Sequence, residues 1–382
     1  MDSDSRHFRL LIALIVIPSL LVVGGFALVA GGVIGGNKGT SQVAPNANGG
    51  LSLALQPTRA IIGNGENGLI ASAAPAKATA TGGHDMTAVS AQATTPAAPH
   101  TPYDAARPAL LPLAPGTTNV RTLDLTMTET TAEIAPGVRF AEWNFGGTTP
   151  GPVVHVKLGD TVKVTLTNKG TMPHSIDFHA AQVPPSMDYI DVKPNASFAF
   201  DWKADYPGIF MYHCGSPLVI AHMASGMYGA VVVDPATPLP PAREYVIVQN
   251  EFYVTGKQGD VQTVDVDKAL KAEPDYVTFN GYVNQYKDAP LAAKVGERVR
   301  LYIVNAGPSE FSAFHVIGTI FENAYADCNP ANVQHGMQTV TIPPGGAYMV
   351  EFTIPEEGNY PFVTHSFADV NKGALGVIKV TK

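Results

Sequence analysis

Two stretches of this chain, KLGDTVKVTLTNKG at residues 157–170 and KVGERVRLYIVNAG at 294–307, align without a gap at an offset of 137 residues. Gly159 and Gly296, Asp160 and Glu297, Val162 and Val299, Asn168 and Asn305, and Gly170 and Gly307 occupy matching positions. A second echo joins GMYGAVVV (226–233) to GALGVIKV (373–380). TVKVTLTN (161–168), RVRLYIVN (298–305) and GVIKVT (376–381) within them alternate apolar and polar residues and are rich in β-branched side chains, the pattern of a half-buried strand between turns. VRTLDLTMTE (120–129) reads the same way. The repeat therefore predicts one all-β unit built twice, two tandem sandwiches over residues 116–236 and 237–382, joined near DPATPLPPAR (234–243). With 37 glycines and 31 prolines in 382 residues, the turn chemistry is too dense for a helical bundle.

The first 115 residues require a separate explanation. Leu10 to Ile34 is uncharged, follows Arg6 and Arg9, and is long enough to cross a bilayer as a helix. We expect residues 1–35 to be an uncleaved membrane anchor, because the match to a small-residue cleavage site is poor. The rest of the chain would then be extracytoplasmic, on the periplasmic or cell-surface side. Residues 36–115, with stretches such as ASAAPAKATATGG, sustain no period and read as a disordered linker in which His84 and His100 are solvated. A net charge of −8 gives no support to a nucleic-acid partner.

The chemistry is concentrated in MPHSIDFHA (172–180) and MYHCGSPLVIAHMASGM (211–227). His174, Cys214, His222 and Met227 supply two imidazoles, a thiolate and a thioether, the ligand set of a type 1, blue-copper-like centre. The C-x7-H-x4-M spacing closes a loop between two strands, and Met disfavours zinc as the rival metal. His179 and His213 are left over. On a strand, His213 and Cys214 point to opposite faces. A second metal on the far side would lie about 12 Å away, with the His–Cys pair as a covalent link. Two imidazoles hold a metal weakly, and the second repeat offers His315, His335 and His365 as a third.

These segments, together with NFGGTTPGP (144–152), FHVIG (314–318) and VTHSFADVNKGALG (363–376), resemble the copper-containing, nitric-oxide-forming nitrite reductases over residues 118–382. The short Cys-to-His loop is similar to that of the membrane-anchored branch. The resemblance implies two cupredoxin-like Greek-key domains and two coppers per subunit. It makes His174, Cys214, His222 and Met227 the type 1 ligands and His179, His213 and His365 the type 2 ligands. Asp177 and His315 become the catalytic acid and its partner at the nitrite position, with Ile317 as its apolar cap. It further implies a homotrimer in which a neighbouring copy donates His365. A small cupredoxin or cytochrome c would donate electrons, docking at the exposed edge of His222. Ser175 stands where the family more often has Asn, a modest change beside the ligands.

Two other functions share parts of this pattern. A two-domain multicopper oxidase reducing O2 needs HxH pairs and a His directly after the Cys. Here Gly215 follows Cys214 and no HxH occurs. A non-catalytic, membrane-tethered electron carrier would have no use for His179, His213 and His365. Cys328 reads as a free loop thiol, His155 and His335 as structural or surface residues, and Trp143 and Trp202 as packing.

Overall fold

The computed structural model describes residues 100–257 and 259–382. The expected anchor and most of the expected linker lie outside these residues, as does His84. Among the described residues no helix is long and apolar enough to cross a membrane.

The first sandwich contains β1 (Val120–Ala135), β2 (Val138–Phe145), β3 (Val154–Lys157), β4 (Thr161–Asn168), β5 (Asp177–Phe178), β6 (Ser197–Lys203), β7 (Gly208–His213) and β8 (Tyr228–Asp234). The second contains β9 (Arg243–Phe252), β10 (Val261–Gln262), β11 (Tyr276–Phe279), β12 (Leu291–Lys294), β13 (Arg298–Gly307), β14 (Ser312–Val316), β15 (Phe321–Ala326) and β16 (Val333–Met337). It is completed by β17 (Val340–Ile342), β18 (Ala347–Thr353), β19 (Gly358–Thr364) and β20 (Leu375–Thr381).

The sheet orders show that the repeat is structural. In the first sandwich β2-β1-β4-β6 faces β3-β8-β7-β5, and in the second β11-β9-β13-β18 faces β12-β20-β19-β14, strand for strand. β1 runs parallel to β4 with Met127 opposite Asn168, and β9 runs parallel to β13 with Gln249 opposite Asn305. Alternation on β4 sends Val162, Val164 and Leu166 inward against Phe178, Trp202 and Tyr212. Between the sandwiches, Ile209, Met211, Ala230 and Val232 pack on Val246, Val248, Tyr302 and Met349. That second apolar contact explains why β8 reads YGAVVV with no polar alternation: both of its faces are covered.

Two features depart from the sequence reading. Residues 100–115, expected as the end of the linker, are packed. Ala105 is buried in the second core, Ala106 bridges Tyr245, and Leu113 bridges Arg121. Arg107 pairs with Asp234 at 2.7 Å and Glu244 at 2.6 Å, clasping the end of one sandwich to the start of the next. His100, expected in solvent, stacks on Tyr282 with centroids 3.5 Å apart. A few anchoring side chains hold this segment, and composition averages them away. The second departure is β10, a two-residue strand of the second repeat that joins the first domain's sheet beside β2.

Candidate metal centres and active site

Where β7 ends, the chain passes from His213, on one face, to Cys214, fully buried in the first core. Cys214 N–H donates to the Met227 carbonyl at 3.1 Å, and Met227 N–H donates to the His222 carbonyl at 3.2 Å. The short helix Val219–Ala224 carries His222 back over the sulfur. His174 enters from the opposite side, held by its backbone pairing with Val192.

The ligand atoms of His174, Cys214 and His222 all lie within 4.8 Å of one another. His222 Nδ1 is 3.3 Å from Cys214 Sγ and 3.2 Å from His174 Nδ1. Met227 is completely buried beside them, and Trp143 packs on both imidazoles. Burial pushes the Cys214 thiol up, but hydrogen bonding and charge from His174 and His222 outweigh it and hold the thiol well below its ordinary value. Two imidazole nitrogens and a thiolate converging in a buried pocket beside a thioether are soft donors that suit copper better than a hard, oxygen-seeking ion.

Ser175 is tied into this loop at both ends. Its N–H points at Cys214 Sγ (3.4 Å), and its hydroxyl accepts from Gly215 N–H (3.1 Å) and from Ser216 Oγ (3.2 Å). Ser216 also bonds Asp191 Oδ1 at 2.6 Å. Sequence reading noted Ser175 but missed Ser216 and Asp191, whose contact is made only in three dimensions. It also missed Glu129, whose Oε1 lies 3.7 Å from His174 Nε2.

The exposed edge expected for His222 is not found. The ring is 2% exposed, because Trp143 and its own helix cover it. Its loop neighbours Leu218 and Val219 are exposed instead.

On the far side of β7, His213 Nε2 lies 3.2 Å from His179 Nε2 and 3.8 Å from Asp177 Oδ2. The register makes this meeting inevitable: Asp177 is the cross-strand partner of His213, and His179 follows two residues later. His213 Nδ1 hydrogen-bonds the Cys214 carbonyl at 2.9 Å, so Nε2 is the nitrogen turned to His179. Burial, then the neighbouring His213, lowers the pKa of His179, which keeps it neutral and able to bind a metal. Two imidazoles on a partly open surface, with the Asp177 carboxylate beside them, fit part of a second copper site with a free position.

The second repeat supplies a separate group. His365 N–H donates to the Ala313 carbonyl at 2.6 Å, which seats the ring beside His315 with centroids 5.7 Å apart. His315 Nδ1 bonds the Gln338 carbonyl, leaving Nε2 free. Ile317 is 43% exposed, and Phe367 stacks edge-on against His365. Within one chain His365 does not join the Asp177–His179–His213 group. The other residues with expected roles fall as follows: His155 is buried and paired with Asp234, and His335 is exposed against Asn323. Cys328 is free but buried, with its thiol pushed up by burial. Trp143 and Trp202 are core residues.

Multicopper oxidase family profiles match residues 126–238 and 243–380, one per sandwich. Paired sandwiches with these donor sets define a two-domain copper oxidoreductase. A copper-containing nitrite reductase of Neisseria meningitidis serogroup A is 41% identical over 260 residues, covering 66% of this chain and 67% of the relative. The copper nitrite reductase structure from Nitrosomonas europaea is 39% identical with a TM-score of 0.65, covering 69% of this chain and 95% of that one. A crystal structure of a multicopper oxidase is 27% identical with a TM-score of 0.63, covering 73% and 94%. The chain belongs to the copper-containing nitrite reductases.

Proposed function

We propose that this chain catalyses NO2⁻ + e⁻ + 2H⁺ → NO + H2O, with His174, Cys214, His222 and Met227 holding a type 1 copper and His179, His213 and His365 a type 2 copper. The observation that carries this reading is the back-to-back placement of two donor sets on one strand end, joined by the His213–Cys214 peptide and again by the 2.9 Å hydrogen bond from His213 Nδ1 to the Cys214 carbonyl. When bound, the coppers supply one-electron storage at the first site and a Lewis acid for the anion at the second.

The residues around the second site handle the protons. Asp177, with its side chain 38% exposed beside His213, is placed to deliver a proton to a nitrite oxygen. His315, with Nδ1 engaged by Gln338, presents Nε2 for the second. Ile317 covers the position with an apolar surface that limits water. His315, Ile317 and His365 are exposed or half-buried on one domain, while Asp177 and His179 are partly exposed on the other. A homotrimer in which each copy lends its second-domain group to its neighbour completes the site. Leu218 and Val219 offer an apolar landing for a small cupredoxin or cytochrome c over buried His222. The uncharged run at 10–34 supports a membrane-tethered, extracytoplasmic enzyme.

The O2-reducing alternative lacks a His after Cys214 and any HxH pair. The test of the proton assignment is Asp177→Asn. This isosteric change keeps both coppers but lowers kcat by roughly 100-fold or more. Full activity in that variant, at unchanged copper content, contradicts the role.

A further inference from the structure

The two repeats carry a carboxylate at the same place, and only one has a histidine to serve. Glu129 lies two residues past Met127 on β1, and Glu251 lies two past Gln249 on β9, the residues opposite the paired Asn168 and Asn305. Each carboxylate holds the turn that follows the neighbouring strand. Glu129 accepts from Thr171 N–H (2.7 Å) and Thr171 Oγ1 (2.8 Å). Glu251 accepts from Ser309 N–H (3.1 Å) and Glu310 N–H (2.7 Å). In the first domain the carboxylate sits so close that a Cβ on Gly170 would come within 2.7 Å of Glu129 Oε1 and displace it.

The difference lies three residues beyond Thr171. His174 is completely buried, with Nδ1 turned to Cys214 and His222, and its outer nitrogen Nε2 has no hydrogen-bond partner. Glu129 Oε1 is 3.7 Å from that nitrogen, just beyond hydrogen-bond range. The turn of the second domain is one residue longer, and the strand pairings place buried Ser312, opposite Ile342, where His174 stands opposite Val192. A neutral imidazole that offers its Nδ1 lone pair to a metal must carry its proton on Nε2. Buried without a partner, that N–H would be left unsatisfied at a cost to the fold.

We propose that Glu129 is a positioning residue of the type 1 copper site: it accepts the Nε2–H of His174 through a small rotation of the ring, fixes the tautomer that presents Nδ1, and strengthens the imidazole as a donor to Cu(II). The turn-holding carboxylate belongs to the fold, and the first domain has put it to a second use. This inference rests on the type 1 site proposed above.

The test is the type 1 midpoint potential, read by visible absorption on the full copper-loaded chain. Glu129→Gln keeps the acceptor oxygen for Thr171 but removes the charge. It should weaken Cu(II) binding relative to Cu(I) by about tenfold, which raises the potential by about 59 mV. Glu251→Gln makes the same change at the turn without a histidine and should leave the potential in place. Equal potentials in wild type and Glu129→Gln, or equal shifts in both variants, overturn the proposal. Pulsed EPR of a His179→Ala background, which isolates the type 1 signal, supplies a reading independent of how Glu129→Gln folds. One remote imidazole nitrogen should show the coupling of a strongly hydrogen-bonded N–H, and two weakly bonded ones overturn the role. Absence of any type 1 absorption in wild type overturns this proposal and the site together, whereas an unshifted potential in a coloured protein overturns this one alone.

Discussion

His179→Ala is expected to abolish nitrite turnover while the visible absorption of the Cys214 site survives. The residue lies on the far side of β7 from Cys214 and contributes nothing to that pocket. Its Nε2 is 3.2 Å from His213 Nε2, so its removal leaves the second donor set one imidazole short. Nitrite reduction should fall by more than about 100-fold, beyond the loss that follows when a metal ligand's supporting partner is removed. Copper content should drop from two ions per chain toward one. His365→Ala should behave identically although it lies on the other domain. The two variants together test how the site is shared. In mixed assemblies of His179→Ala and His365→Ala chains, a site built between copies is whole wherever an intact His179 meets an intact His365. About a quarter of sites then recover in a random one-to-one mixture. No recovery means that each site is built within one chain.

Cys214→Ala should have the opposite spectroscopic result. The thiolate is the source of the intense visible band, so the protein should lose its colour, and electrons from a donor protein should no longer reach the second site. Nitrite should still bind, because Asp177, His179 and His213 keep their places through the β5–β7 pairing. The fold should survive: the side chain lost is small, and the cost of the void is about 1 kcal/mol. The site's contribution to stability should also fall. Copper held at 100 times its dissociation constant stabilises the wild-type fold by about 2.7 kcal/mol, and thermal melts with and without copper should show that increment shrinking in Cys214→Ala. A variant that keeps the visible band contradicts the ligand assignment.

The parts of the molecule that were readable in advance share a physical cause. The sandwiches announce themselves because strands such as β1, β4 and β20 alternate apolar and polar residues, and the offset of 137 carries the pattern from β4 to β13. The donors of the first site fall within one loop and one approaching strand, so spacing alone groups Cys214, His222 and Met227. His179 and His213 were separable from that group because adjacent strand residues face opposite ways.

What escaped depends on contacts with no local period. Ala105, Ala106 and Arg107 anchor a segment whose composition matches the spacer before it, and their partners Tyr245, Asp234 and Glu244 lie over 120 residues away. Two-residue β10 is too short to show any alternation. The burial of His222 follows from Trp143, which the β1–β2 hairpin delivers from a distant part of the chain. Glu129 gave one signal that could have been used, its recurrence as Glu251, but the recurrence takes on meaning only when His174 is seen beside one of the pair. The residues offered His315, His335 and His365 as a third ligand for His179 and His213, and only the resemblance chose His365 and set His315 beside Asp177. Within one chain the fold gathers them into two separate groups, and the proposed ring of copies is what unites them.

The most direct test of the whole account is a single assay. Copper-loaded protein is supplied with a reduced mediator, first with nitrite under anaerobic conditions and then with O2, and both NO release and O2 uptake are followed. The account predicts nitrite-dependent NO, one molecule per electron, with O2 uptake no more than a small fraction of that rate. Rapid O2 consumption with no NO from nitrite would contradict it.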